Sequence, residues 1–362
     1  HKRARHSVAD GQPDAAQPVW TAEKTFDSKE DLITAIFWER QFEMSGEEHE
    51  YFDTHRFGAE WLVDGASAIA RKAGISEFVI GLTIVGFGTS CPELVVSLTG
   101  ALEGNADISV GNVIGSNIFN TLLILGLTAV ILPIAMTRTN RDKDIPIALV
   151  VSFLLVMCGM SHSLAGIGVT DRLSRVEGVV FLLIFSAYIY YCFKSGKEDK
   201  TSDGEERKRE GTVFSIVLVA AGLAGLVFGG HFFVDSAVDI ARRIGVSDKF
   251  IAITLLAGGT SLPELATCIV AAAKRKGQLA LGNILGSNIF NILLILGVSS
   301  IIAPLSFGAM NYVDAGVLVL GSALLWVFTY TGRRNCIDRF EGIILVGCYA
   351  AYLGWLFKSV SV

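Results

Sequence analysis

The sequence predicts an all-α polytopic membrane protein made of two inverted repeats of five helices, with about ten transmembrane helices in all. Hydrophobic residues make up 51% of the chain and charged residues only 18%, whereas charged residues form about 25% of an ordinary soluble domain. The apolar residues occur in blocks of roughly 20 or more, the length of helix that crosses a ~30 Å hydrocarbon layer. The second half of the chain also repeats the first.

Nine apolar blocks have the length of a membrane-spanning helix, and a shorter block at residues 57–73 precedes them. The nine blocks are residues 76–102, 108–135, 145–168, 176–193, 212–240, 250–273, 279–305, 313–331 and 341–357. Upstream, residues 1–56 form a polar N-terminal tail with 12 acidic and 7 basic residues. This tail accounts for the whole formal net charge of −5. The rest of the chain is neutral and indicates no nucleic-acid partner.

An internal repeat is the decisive feature of the sequence. A shift of 171 positions aligns residues 57–126 with residues 228–297 without a gap, and 32 of the 70 pairs are identical. The shared text contains two motifs, G-T-S-x-P-E-L and G-N-x-x-G-S-N-I-F-N. The first motif lies at residues 88–94 and 259–265, and the second at residues 111–120 and 282–291.

The repeat divides the chain into a first unit at residues 57–193 and a second at residues 212–362, joined by a charged cytoplasmic linker at residues 194–211. Five helices per unit is an odd number, so the second unit must enter the membrane from the opposite side. The distribution of Lys and Arg supports this inversion. With the first span running inwards, 17 of these residues fall in cytoplasmic segments and 6 on the opposite side, the tail left out.

Two glutamates stand out because a carboxylate at the centre of a bilayer costs roughly 2.5–3.5 kcal/mol on insertion scales. Glu93 and Glu264 lie in the two copies of the first motif, directly after Pro92 and Pro263. A proline lacks the N–H that a helix interior needs. We expect both helices to break here and to turn backbone carbonyls toward a ligand. These carbonyls belong to Gly88, Thr89, Gly259 and Thr260.

Oxygen atoms dominate the side chains around these glutamates, and no convergent His or Cys is expected beside them. The hydroxyl and amide oxygens belong to Thr89, Ser90, Thr260, Ser261, Ser116, Ser287, Asn120 and Asn291. An all-oxygen shell with two carboxylates suits a hard cation, since Ca2+ takes about six to eight oxygens. The weaker carbonyl and hydroxyl sets suit Na+. Asn117 and Asn288 each follow a serine by one residue and are expected to face another side of the helix.

Helix packing is the alternative interpretation of the second motif. Gly, Ser and Asn also line close contacts between membrane helices. Gly111, Gly115, Gly282 and Gly286 are therefore expected to serve packing rather than ligation. Both motifs occur twice at one spacing and contain the two deeply placed glutamates, which favours a binding site.

At these residues the chain resembles the sodium/calcium exchanger superfamily, whose two alpha-repeats carry G-T-S-x-P-E and G-N-x-x-G-S-N in matching positions. The resemblance covers residues 57 to about 358. It implies ten helices, a central ion site between the second and third helix of each repeat, and a first/sixth helix pair that slides to give alternating access. It also implies that Glu93 and Glu264 are shared Ca2+ and Na+ ligands. The hydroxyl residues named above would complete the ion sites, and Asn120 and Asn291 would line the centre.

Differences from particular subgroups of the superfamily, and a short first helix, refine this resemblance. Asn291 occupies a position where potassium-dependent members have an aspartate, which favours a potassium-independent antiporter of the prokaryotic type. Neither repeat has the G-N-x-x-E order of proton/calcium exchangers. The first helix is also shortened, because the residues before Phe57 are too polar for lipid and only residues 57–73, about 25 Å of helix, remain.

The sequence therefore predicts an integral protein of the cell (inner) membrane that exchanges Ca2+ for Na+. Its expected partners are these two ions and the lipid bilayer, with no obligate protein partner and no cofactor. Two carboxylates would balance one Ca2+, whereas three Na+ would leave a positive charge, so electrogenic exchange is expected. Open alternatives are an antiporter of H+ against Ca2+ or another divalent cation, a cation channel, and a cation-binding paralogue without exchange. An enzyme is not expected, since the sequence has no nucleophile–base pair or nucleotide loop.

Overall fold

The computed structural model describes residues 46–166, 170–195, 212–243, 257–308, 310–332 and 335–360. These ranges are almost entirely helical. Three predicted features lie outside the described residues: the tail up to residue 45, the linker at residues 196–211, and the start of the second span of the second repeat.

The first repeat consists of long helices joined by short connections. Its helices and strands are α1 (Gly46–Ala73), α2 (Glu77–Thr89), α3 (Cys91–Leu102), α4 (Ala106–Ile131), β1 (Ile134–Ala135), α5 (Ile145–Gly159), α6 (Ser161–Ala165), β2 (Arg172–Leu173) and α7 (Arg175–Ser195). A π-helical turn, Asn140–Asp144, runs directly into α5.

The second repeat follows the same order. Its helices and strands are α8 (Thr212–Arg243), α9 (Ala257–Gly259), α10 (Leu262–Ala273), α11 (Gly277–Ile302), β3 (Leu305–Ser306), α12 (Tyr312–Phe328), β4 (Cys336–Ile337) and α13 (Arg339–Val360). Helices α4 and α11 correspond end to end under the shift of 171 positions, as do β1 and β3.

Polar side chains at the helix starts explain why the connections are short. Ser76 precedes α2 and accepts a hydrogen bond from the backbone N–H three residues later, at 3.3 Å. Asn105 does the same before α4, at 3.4 Å. Asn311 precedes α12 and forms a reciprocal capping box with Asp314. Each cap pairs a backbone donor that a helix start leaves free, so the chain can begin a new helix within a few residues.

Five continuous helices among the described residues are long and apolar enough to cross a membrane, namely α4, α7, α8, α11 and α13. Helices α2 and α3, which are bent by 47° at the break between them, have the length and apolar composition of a sixth span when they are taken together. The other four predicted spans fall on α1, α5, α12 and the segment that ends with α10, whose first part is not described. For these four, membrane crossing stays a prediction from the repeat.

Helix α1 is longer than the apolar segment predicted for the first span. It begins at Gly46 and has 28 residues, so the polar residues 46–56 continue the same helix as the apolar residues 57–73. The helix therefore continues across residue 56, where the polar tail was predicted to end. Only the apolar part of the helix is short.

Helices α1 and α8, the first helix of each repeat, are in backbone contact along glycines. A Cβ atom at Gly58 would lie 2.9 Å from the carbonyl oxygen of Gly222, and one at Gly222 would lie 2.7 Å from that of Gly58. A Cβ atom at Gly65 would lie 2.9 Å from the carbonyl oxygen of Ser215. Small residues of this kind let membrane helices approach closely, so α1 and α8 form a tight pair.

Helices α2 and α11 also cross at glycines. A Cβ atom at Gly282 or Gly286 would overlap a carbonyl oxygen of α2, which confirms that these two residues serve packing. For Gly111 and Gly115, no described atom lies within 4 Å of the corresponding Cβ position, and their packing role stays a prediction.

Two short antiparallel strand pairs connect the repeats. Strand β1 pairs with β4, with Ile134 opposite Ile337, and β2 pairs with β3, with Leu173 opposite Leu305. Each pair joins one strand from each repeat, and the charge distribution assigns both members of a pair to the same side of the membrane. The inverted-repeat prediction is confirmed by this cross-repeat pairing.

Candidate cation site

Both helices that carry a glutamate are interrupted just before it. Ser90 lies between α2 and α3 with φ −84° and ψ 6°, and Ser261 lies between α9 and α10 with φ −90° and ψ 8°. This is the sparsely allowed region between helix and strand conformations. Pro92 and Pro263 occupy the first turn of the following helix, where a missing N–H is tolerated. The predicted helix breaks are confirmed.

The two glutamates are fully buried and bound by the opposite repeat. Glu93 and Glu264 each have 0% exposure. The Ser261 hydroxyl donates to Oε1 of Glu93 at 2.9 Å, and the Ser90 hydroxyl donates to Oε1 of Glu264 at 3.0 Å. Residues 88–90 and 259–261, which form the two helix breaks, are called the hinges below. The serine of each hinge thus contacts the carboxylate that follows the other hinge. A repeat cannot form this site alone.

The remaining hydroxyl residues adjoin these hinges. Ser287 lies within hydrogen-bond distance of Glu264 Oε1 (3.1 Å) and of a backbone carbonyl of α2 (3.3 Å). Ser116 lies 3.5 Å from the Thr260 hydroxyl. Ser116 and Ser287 are both buried. Ser116 therefore lies at the helix break of the opposite repeat, whereas Ser287 lies between the glutamate of its own repeat and α2 of the opposite repeat.

Two asparagines that sequence reasoning missed hold the hinge threonines. The Thr89 hydroxyl donates to Asn283 Oδ1 at 3.1 Å, and the Thr260 hydroxyl donates to Asn112 Oδ1 at 3.3 Å. Asn112 also donates to the backbone carbonyl of Glu93 at 3.1 Å. The signal for these residues is the second position of the G-N-x-x-G-S-N motif, which both repeats share.

Four further asparagines meet between α4 and α11. Asn120 and Asn291 lie in the π-helical turns Phe119–Ile124 and Phe290–Ile295, a feature frequent at functional sites. Asn120 Nδ2 donates to Asn288 Oδ1 at 3.2 Å, and Asn291 Nδ2 donates to Asn117 Oδ1 at 3.0 Å. Asn117 and Asn288 lie on another side of their helices than the serines, but that side faces the opposite repeat.

Four buried oxygens in this region have no hydrogen-bond partner within the described part of the chain. They are Glu93 Oε2, Glu264 Oε2, Asn120 Oδ1 and Asn291 Oδ1, two from each repeat at corresponding positions. A buried polar atom without a partner costs about 1–3 kcal/mol, and such atoms are rare in native proteins. Four of them at corresponding positions of the two repeats form a set of oxygen acceptors available to a cation.

The chemistry of this set suits a hard cation. It contains two carboxylate and two amide oxygens, and the hydroxyl groups of Ser90 and Ser261 contact the same carboxylates. The described residues contain no cluster of three His, Cys, Asp or Glu side chains that could hold a metal ion. Oxygen ligands with one or two carboxylates are what Ca2+ selects, whereas soft metals select thiolate and imidazole. Direct ligation by any single residue, including the predicted backbone carbonyls, stays a prediction.

Comparison with known proteins agrees with this architecture. A family model described as sodium/calcium exchanger protein matches residues 56–194 and 214–358. The putative antiporter CaxA of Alkalimonas amylolytica is 38% identical over 84% of this chain and 95% of its own length. The sodium/calcium exchanger MaX1 of Methanosarcina acetivorans is 34% identical over 83% of this chain and 94% of its own length.

Solved structures extend the similarity to the fold. The sodium-calcium exchanger NCX_Mj, soaked with Na+ and Ca2+, is 35% identical and superimposes with a TM-score of 0.72 over 86% of this chain and 99% of its own. The family match spans most of both repeats, and the long apolar helices agree with it. This chain is therefore an integral membrane protein that belongs to the sodium/calcium exchanger family.

Proposed function

We propose that this chain is an antiporter that exchanges Ca2+ for Na+ by alternating access, and that the exchange is electrogenic. The observation that carries the proposal is the set of four buried oxygens without partners on Glu93, Glu264, Asn120 and Asn291. This set has the charge and the ligand type for one Ca2+. The names of MaX1 and NCX_Mj, which describe those proteins as sodium/calcium exchangers, support the same pair of ions here.

Charge neutrality explains why two different ions would share one site. With both carboxylates ionised, the site has two negative charges, which one Ca2+ neutralises. Three Na+ in the same site would leave one positive charge. Each cycle of three-for-one exchange therefore moves one net charge across the membrane, and a potential of 100 mV changes its driving force by about 2.3 kcal/mol.

The fold supports an alternating route to the site. Each glutamate follows a serine at a helix break and accepts a hydrogen bond from the corresponding serine of the opposite repeat. The tight α1–α8 pair lies against this centre, since a Cβ atom at Gly88 of the first hinge would contact Leu223 of α8. Sliding of the pair past the hinges would expose the site first to one side and then to the other, as the resemblance to the family implies.

The test is 45Ca2+ uptake into proteoliposomes loaded with Na+. We expect an outward Na+ gradient to drive uptake, and an inside-positive potential set with K+ and valinomycin to accelerate it several-fold, because net positive charge leaves with Na+. Liposomes loaded with choline at the same osmolarity are the control. An uptake rate that does not depend on the membrane potential would exclude an exchange ratio of three Na+ to one Ca2+.

The same liposomes separate the alternatives. Uptake driven equally well by an outward proton gradient without Na+ would favour an H+/Ca2+ antiporter. Uptake that needs no counter-ion would favour a channel. Ca2+ binding without any gradient-driven uptake would indicate a paralogue that does not exchange.

A further inference from the structure

Asn117 has an amide orientation that its hydrogen bonds determine. Its side chain is 1% exposed, and its Nδ2 donates to the backbone carbonyl of Asn288 at 3.2 Å. A carbonyl can only accept, so the nitrogen end of the Asn117 amide must face it. The oxygen end of Asn117 is thereby turned toward Asn291.

This orientation determines that of Asn291 in turn. Asn117 Oδ1 can only accept, and Asn291 Nδ2 donates to it at 3.0 Å. Asn291 Oδ1 must then point the other way, and it is one of the four buried oxygens without a described partner. A chain of two amides, anchored on one backbone carbonyl, therefore determines that the partnerless buried end of Asn291 is its oxygen and not its nitrogen.

The symmetric chain is less constrained. Asn120 Nδ2 donates to Asn288 Oδ1 at 3.2 Å, and Asn288 Nδ2 donates to the Thr121 hydroxyl at 2.8 Å. A hydroxyl can donate as well as accept, so the Asn288 amide could turn if the Thr121 hydroxyl turned with it. The orientation of the Asn291 amide is therefore more strongly constrained than that of the Asn120 amide.

We propose that Asn117 and Asn288 are positioning residues that hold the amide oxygens of Asn291 and Asn120 toward the transported cation. Each acts on a residue of the opposite repeat, so ligand geometry depends on contact between the repeats. The inference rests on the proposed function only in that the ligand is the cation of the Glu93/Glu264 site. The amides of Asn117 and Asn288 do not themselves touch the ion.

The test is a double-mutant cycle read out as equilibrium 45Ca2+ binding to the purified protein in detergent. Asn117→Leu keeps the side-chain size and removes the acceptor, so the Asn291 amide is free to turn its N–H groups inward. We expect a loss of Ca2+ affinity of about 10- to 100-fold. Asn291→Ala should cost a similar factor, and the double variant should lose no more than the larger single loss.

Matched variants keep the result interpretable. Thr329→Val removes the hydrogen bond that a buried hydroxyl donates to the Trp326 carbonyl at the end of α12, outside both motifs, and should leave Ca2+ affinity unchanged. Should Asn117→Leu fail to fold, the cycle of Asn288→Leu with Asn120→Ala tests the same idea with a smaller expected loss. Losses that multiply in the double variant, or unchanged affinity in a folded Asn117→Leu protein, would overturn the proposal.

This readout is independent of exchange. A wild-type protein that binds Ca2+ but shows no Na+-driven uptake would overturn the proposed antiport. The double-mutant cycle of Ca2+ binding would still test the positioning role. Multiplicative losses in a protein that does exchange would overturn only the positioning role.

Discussion

Glu93→Gln and Glu264→Gln should each reduce Na+-driven 45Ca2+ uptake by at least about 100-fold. Glutamine keeps the shape of the side chain and the oxygen that accepts the hinge-serine hydrogen bond, but it removes one of the two charges. Two unit charges 4 Å apart interact by about 4 kcal/mol at an effective dielectric constant of 20. The interaction energy with a divalent cation is twice as large, so the loss of one carboxylate charge weakens Ca2+ binding strongly. Uptake is measured as an initial rate in Na+-loaded proteoliposomes.

Glu103→Gln is the matched control for this prediction. It makes the same change at an exposed residue just after α3, so uptake should stay near the wild-type rate. Substantial uptake by either Glu93→Gln or Glu264→Gln would mean that one carboxylate suffices for Ca2+. The proposal that Ca2+ binding needs both carboxylates would then be wrong.

Gly286→Ala should destabilise the fold strongly. The added methyl group would overlap the Leu82 carbonyl oxygen, and all three of the nearest atoms belong to Leu82 backbone. Backbone in a packed helix cannot move aside as a flexible side chain can, so the helices must separate at a cost at or above the ~1–3 kcal/mol usual for overpacking. We expect the thermal midpoint in detergent to fall by about 10 °C.

Gly347→Ala is the control for this second substitution. Gly347 lies within α13, and no described atom lies within 4 Å of its Cβ position. Alanine there should leave the midpoint unchanged or raise it slightly, because it favours helix over glycine. Equal midpoints for the two variants would show that α2 and α11 do not cross as closely as the structure has them.

Sequence alone could predict the helix breaks and the buried carboxylates. A proline before a glutamate inside an apolar block has few other structural explanations, and its duplication at Pro92 and Pro263 removed most of them. The inversion followed from an odd number of spans and from the positions of Lys and Arg. All of these signals are local in sequence or depend on simple counting.

Contacts between the repeats could not be predicted in the same way. The roles of Asn112 and Asn283 depend on which threonine lies opposite each of them across the two repeats. Helical spacing says only that Asn117 and Asn288 lie on a different side from the serines, and it does not say what packs against that side. The strand pairs β1–β4 and β2–β3 are likewise two residues long, too short to leave a periodic pattern.

The polar start of α1 shows a different limit. Hydropathy indicates which residues suit lipid, but residues 46–56 continue the helix without being apolar. A helix end and the end of an apolar segment are separate properties, and only the second could be predicted here.

Displacement of bound 45Ca2+ by Na+ from the purified wild-type protein tests the central claim most directly, namely that one two-carboxylate site takes either ion. We predict that Na+ releases all of the Ca2+, with a steeper dependence on Na+ concentration than one-for-one competition and no comparable effect of K+ at the same ionic strength. Ca2+ that stays bound at high Na+, or equal release by K+, would contradict it.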